Sequence, residues 1–163
     1  MQHHLRYIRK SLGPLLPARE GMDALETLPP VWQEKFLVVD DEDPIVALLQ
    51  TVLSREGRVY TAADGRQALE MAMRDYFAVI VSDIDMPVMD GWAFYSRLET
   101  AFRGVGRRFI FMTGNPTSRA AQKIARAGCR ILSKPFSLTE LRQAVDAAME
   151  GIARAECAPV GRP

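Results

Sequence analysis

Asp40 and Asp41 follow the apolar run FLVV, Asp83 follows AVIVS with Asp85 two residues on, Thr113 follows FIFM, and Lys134 follows RILS. Each of these groups stands where a buried strand should run out, at a rim where a polar side chain reaches solvent and ligand. Taken singly, none is informative. An acid at a strand end often only caps the next helix, a threonine in an apolar run is an ordinary β-branched strand residue, and a lone lysine is usually solvated. Together they form a set. Neighbouring strands lie about 4.8 Å apart, so acids ending two adjacent strands can share one cation. Three carboxylates invite Mg²⁺, a hard ion that prefers oxygen ligands and often binds through one or two carboxylates plus phosphate oxygens. An ammonium and a hydroxyl facing the same pocket add positive charge and a donor for the equatorial oxygens of a transferring phosphoryl group. Three clustered acids with neither cation nor lysine would repel one another and raise their own pKa values, which is hard to justify as structure alone.

Alternating strands and helices must position this set. KFLVVDDEDPIVALLQTVLSREG reads as a strand, two acids and a helix, with Asp43 as N-cap, Pro44 at the first helical position, an inner face of Ile45, Leu48, Leu49 and Val52, and a stop at Gly57. RVYTAADG alternates as a less buried edge strand would, and Asp64 can cap a helix with Ala68, Leu69, Ala72 and Met73 inward. FAVIVSDIDMPVMDG is strand, acid, turn and helix start. Pro87 biases Met86 away from helix, Asp90 caps, and Phe94, Leu98 and Phe102 recur at helical spacing. RRFIFMTGNP is a fourth strand, PTSRAAQKIARAG a fourth helix and CRILSKP a short fifth strand. A fifth helix after Ser137 has Leu138, Leu141, Val145, Met149 and Ile152 on one side. Five strands alternating with five helices imply an α/β fold with a parallel sheet wrapped on both faces, because parallel strands need right-handed crossovers. In doubly wound sheets, sites lie beyond the carboxyl ends of the strands, where the five groups stand.

The chain has 163 residues, 48% of them apolar, which is about one domain's worth with a single core. Residues 1–34, interrupted by Pro14, Pro17, Pro29 and Pro30, read as a leader or linker, residues 35–154 as the domain, and residues 155–163 as a tail. His3 and His4 read as a solvated terminus and Trp32 as a cover for an edge of the core. The net charge of +1 gives no global field toward nucleic acid or an anionic membrane, so neither is expected as a partner. No run approaches a membrane span and no signal peptide is recognisable, so the expected location is cytoplasmic. Cys129 and Cys157 lack metal-ligand spacing and read as free thiols, one buried and one in the tail.

VVDDE, SDIDMPVMDG, MTG thirty residues after Asp83, and SKPF jointly resemble the CheY-like receiver domain of two-component response regulators, over roughly residues 35–152. The resemblance implies a flavodoxin-like (βα)5 fold with strand order 2-1-3-4-5. It also implies that Asp83 is the phosphoacceptor, taking a phosphoryl group from a sensor histidine kinase or histidine phosphotransfer protein. Asp41 and Asp83 would ligate Mg²⁺ with the backbone carbonyl of Asp85, and Asp40 would act through water. Lys134 would pair with the phosphoryl group, Lys134-Pro135 would be cis, and the Thr113 hydroxyl would swing onto a phosphoryl oxygen. Gly91 and Gly114 would serve backbone geometry near the site. Phe136 reads as packing.

There are two departures from the family's habit. Ile131 stands where an aromatic whose rotamer follows the threonine is common, and a branched aliphatic cannot make that swing with a hydroxyl tip. Asp85 and Asn115 occupy variable positions that flank the phosphoryl group and tune its lifetime. Output is expected through the fourth helix, fifth strand and fifth helix, a face that would also serve a homodimer. The region is basic through Arg119, Lys123, Arg126 and Arg130, read as a solvated helix face. The chain is read as a standalone regulator, with a receiver excised from a hybrid histidine kinase as the alternative. A rival of another class is a haloacid dehalogenase-like phosphohydrolase, which Asp83, Asp85, Thr113 and Lys134 mimic in order. It would need a glycine soon after its acid pair and further acids after the lysine, whereas Met86-Pro87 follows and Asp40-Asp41 lie upstream.

Overall fold

The computed structural model describes residues 34–156. His3, His4, Trp32 and Cys157, and most of the leader and tail, lie outside the described residues. Five strands, β1 (Lys35–Val39), β2 (Arg58–Ala62), β3 (Val79–Asp83), β4 (Phe109–Thr113) and β5 (Arg130–Ser133), form one parallel sheet in the order β2-β1-β3-β4-β5. Five helices return between and after them: α1 (Asp43–Leu53), α2 (Gly65–Arg74), α3 (Gly91–Ala101), α4 (Arg119–Arg126) and α5 (Leu138–Glu156). A short 3₁₀ helix, Val105–Arg108, leads into β4. The flavodoxin-like (βα)5 architecture and the 2-1-3-4-5 order are as the sequence implied.

The sheet divides the core into two layers. Leu37, Ile80, Phe109 and Phe111 face Ala68, Phe94, Leu98 and Ile124 of α2, α3 and α4. Phe36, Val79, Val81, Ile110 and Met112 face Leu49, Val52, Leu141 and Val145 of α1 and α5. β3 and β4 are buried along their whole length, as unbroken apolar runs require, whereas β2, at the edge, leaves Arg58 and Thr61 in water. The caps Asp64, Asp90 and Ser118 accept backbone N–H groups of their helices' first turns.

Several expected details change. The N-cap of α1 is Glu42, and Asp43 is the first helical residue, because Ile45 and Val46 N–H already donate to the Glu42 carbonyl. Leu48, Met73, Phe102 and Leu138 are exposed. Leu48 is at the margin of the α1 stripe, and the other three stand at helix ends, where the apolar period runs past the packed turns. Arg130 is no solvated charge: its guanidinium donates to the carbonyls of Arg107 and Ala147. Cys129 is buried and free, and Phe136 packs against the α1/α5 layer, both as expected.

Candidate functional site

Register brings the chemistry together. Val39 pairs with Ser82, so Asp40, one residue beyond, emerges beside Asp83, the last residue of β3. Thr113 ends β4 opposite Ser133, so Lys134 leaves β5 next to it, and the Lys134 N–H donates to the Thr113 carbonyl at 2.7 Å. Lys134-Pro135 is cis. The ammonium of Lys134 lies 2.8 Å from Asp83 Oδ1, 3.0 Å from Asp40 Oδ2 and 3.6 Å from Glu42 Oε1. The remaining carboxylate oxygens are also engaged: the Asp85 N–H donates to Asp83 Oδ2 at 2.8 Å and the Glu42 N–H to Asp40 Oδ1 at 2.9 Å.

Asp40, Asp83 and Thr113 are buried, while Asp41, Asp85 and Asn115 are exposed at the rim. Thr113 Oγ1 accepts the Asn115 N–H at 3.0 Å. Thus Asp40, Asp83 and Lys134 meet directly, Thr113 is tied to Lys134 through its backbone, and Asp41 and Asp85 stand outside the ion-pair network. Glu42 was not anticipated as a partner of Lys134; its only sequence signal was its place two residues after Asp40. Gly91 has the expected close approach, since a Cβ there would collide with the Asp83 carbonyl oxygen. Gly114 does not, because a Cβ there would meet nothing within 4 Å.

Burial pushes the Asp83 carboxyl above its ordinary range, more than the hydrogen bond and charge of Lys134 hold it down. For Lys134, burial opposes the charge, but the combined hydrogen bonds and charges of Asp83 and Asp40 outweigh it and hold the ammonium above its ordinary value. The site is thus a partly desolvated carboxylate with a fixed cation at one oxygen. Its donors are all hard oxygens, the chemistry that suits Mg²⁺. Among the described residues no three His, Cys, Asp or Glu side chains form a ready metal cluster, and Asp40 and Asp83 are both held by the Lys134 ammonium.

The response regulator receiver domain family model matches residues 36–146. The chain belongs to this family. The receiver is 32% identical to sporulation initiation phosphotransferase F of Bacillus subtilis over 114 residues, covering 69% of this chain and 90% of that protein. Among solved structures it is similar to the chemotaxis protein CheY4 of Vibrio cholerae, with 32% identity and a TM-score of 0.63 over 71% of this chain and 98% of that one. It is also similar to the receiver domain of the sensor histidine kinase PA1611 of Pseudomonas aeruginosa, solved with magnesium coordinated in its active-site cleft. The identity there is 28% and the TM-score 0.64, over 72% of this chain and 98% of that one. Among the receiver's described residues no helix is long and apolar enough to cross a membrane.

Proposed function

We propose that residues 35–154 form a phosphoacceptor receiver in which Asp83 takes a phosphoryl group from the phosphohistidine of a cytoplasmic sensor kinase or phosphotransfer protein. The observation that carries this reading is the contact of one ammonium, Lys134 Nζ, with both Asp83 Oδ1 and Asp40 Oδ2 at the exits of adjacent strands. In the transfer, an Asp83 carboxylate oxygen bonds to phosphorus as the N–P bond of the donor breaks. The departing imidazole keeps the bonding electron pair, leaving an aspartyl phosphate. Lys134 then exchanges the Asp83 oxygen for a phosphoryl oxygen, and the Thr113 hydroxyl turns from the Asn115 N–H to donate to another. Asp41, Asp83 and the Asp85 carbonyl would hold Mg²⁺, with Asp40 acting through water; the bound ion would supply positive charge to the phosphoryl oxygens.

Moving Thr113 draws on the β4–α4 connection, so the face of α4, β5 and α5 is the proposed output, and a homodimer would use it too. Ile131 packs partly buried against the α2/α3/α4 layer, so the response would run through backbone and loop.

Incubation with Mg²⁺ and acetyl phosphate, followed by intact mass, tests the reading. One stoichiometric phosphoryl adduct is expected in the wild type and none in Asp83→Asn. Catalytic turnover of phosphate monoesters without an adduct would instead favour a haloacid dehalogenase-like hydrolase.

A further inference from the structure

Parallel strands start at one end of the sheet, and the helices that return against them bring their C-termini to the same end. On the α2/α3 side, that end exposes Met73, Tyr76 and Phe102. Arg74 closes α2. Phe102 is the C-cap of α3, and from it the chain turns through Arg103 and Gly104 into the 3₁₀ helix that ends at Arg108. The Arg108 guanidinium lies 4.1 Å from the centroid of the Tyr76 ring, which ties the two loops together. Of the nearby carboxylates, Asp75 is bound by Lys35 at 2.7 Å, and Glu99 accepts the Gly104 and Gly106 N–H groups at 2.6 and 3.2 Å.

A helix dipole accounts for Arg74 in the last turn of α2. It does not account for Arg103 and Arg108, which lie outside the α-helices, or for Met73 and Phe102, two large apolar side chains exposed at this end. Met, Tyr, Phe and Arg together match the composition of protein interface cores, and Lys35, the lysine at this end, is taken up by Asp75. We propose that this end, opposite the Asp83 pocket, is a docking surface for an acidic protein segment that carries apolar side chains. Met73 and Phe102 receive its apolar groups, Arg74 and Arg103 take carboxylates bidentately, and Arg108 is held over the Tyr76 ring. A single-stranded nucleic acid is the weaker fit, because one face of Tyr76 is already covered and Met73 offers no stacking plane.

Fluorescence anisotropy tests this with a short labelled peptide alternating glutamate with leucine and phenylalanine. The full chain binds it saturably. Arg103→Glu combined with Arg108→Glu, and separately Phe102→Ser, weaken binding by about tenfold or more. Arg119→Glu combined with Arg126→Glu makes the same charge change on α4 and leaves binding within about twofold, which separates a built surface from net charge. Thermal melting and the Asp83 phosphoryl adduct, read on the same variants, check that each is folded. Because peptide binding needs no phosphorylation, failure of the phosphoacceptor reading leaves this result intact. The proposal is overturned by a wild type without saturable binding, by equal losses in the two double variants, or by tighter binding of oligothymidine than of the peptide. It is equally overturned if light scattering finds self-association that Arg103→Glu with Arg108→Glu abolishes.

Discussion

The Lys134 ammonium stands 2.8 Å from Asp83 Oδ1 and 3.0 Å from Asp40 Oδ2, so two buried carboxylates share one cation. Removing it leaves both acids without a counter-ion in a poorly solvated rim. Lys134→Ala should therefore destabilise the fold by about 3 kcal/mol, the lower end for breaking a buried pair because Lys134 is itself partly wet. In urea unfolding the loss should shrink when Asp83→Asn is added, since one of the stranded charges is then gone. Strictly additive effects of the two substitutions would show that the two groups do not interact.

Asp83→Asn alone should stabilise the protein. Burial raises the folded-state pKa of Asp83 above its unfolded value near 3.8, so the ionised carboxylate is a net cost to the native state. That cost is absent below pH 3.8, where the group is protonated folded or unfolded, and it grows as the pH rises through the folded pKa. The expected gain at pH 7 is about 1 kcal/mol, the size of a typical single stabilising substitution. It should fade as the melting experiment is repeated toward pH 4. A variant less stable than wild type at neutral pH would mean that attraction to Lys134 outweighs burial.

Much of this was legible in the sequence because the signals were local and repeated. Unbroken apolar runs in β1, β3 and β4 announced buried parallel strands, and Asp64 and Asp90 capped the helices they precede. The gathering of Asp40, Asp83 and Lys134 followed from their places at strand exits. What was not legible depends on side-chain partners distant in sequence. Arg130 has the sequence signature of a free surface charge, yet its guanidinium reaches the Arg107 and Ala147 carbonyls, and nothing in VVDDE says that Glu42 leans toward Lys134 while Asp41 is exposed. Periodicity also overran at helix ends, where Met73 and Phe102 keep the apolar spacing after the sheet has ceased to cover them.

Gly91 and Gly114 flank the same pocket but should respond oppositely to alanine. A Cβ at Gly91 would run into the Asp83 carbonyl oxygen and lie 3.1 Å from Ile84 Cα, backbone that cannot step aside. Gly91→Ala should cost about 3 kcal/mol and lower the yield of the Asp83 adduct by displacing the acceptor. Gly114 has open space around it, so Gly114→Ala should change stability by no more than about 0.5 kcal/mol. Paired thermal melts decide it, and a tolerant Gly91 would contradict the packing seen around Asp83.

Val88 occupies the left-handed region at φ 65° in the loop between Asp83 and Asp90, with 78% of its surface exposed. A β-branched side chain in that conformation is strained by roughly 1–2 kcal/mol, and so exposed a side chain has little packing to offset it. The loop is held at this angle by its neighbours: Met89 N–H donates to the Pro87 carbonyl, Gly65 N–H to the Met89 carbonyl, and Met86 and Met89 are buried. Val88→Asn should keep the conformation, which asparagine tolerates, and raise stability by about 1 kcal/mol. Val88→Gly should gain less, because glycine also adds entropy to the unfolded chain. Urea titration of both variants would give the order Asn, Gly, Val from most to least stable. Val88 as the most stable of the three would mean that its exposed methyls are supported by contacts the loop geometry does not reveal.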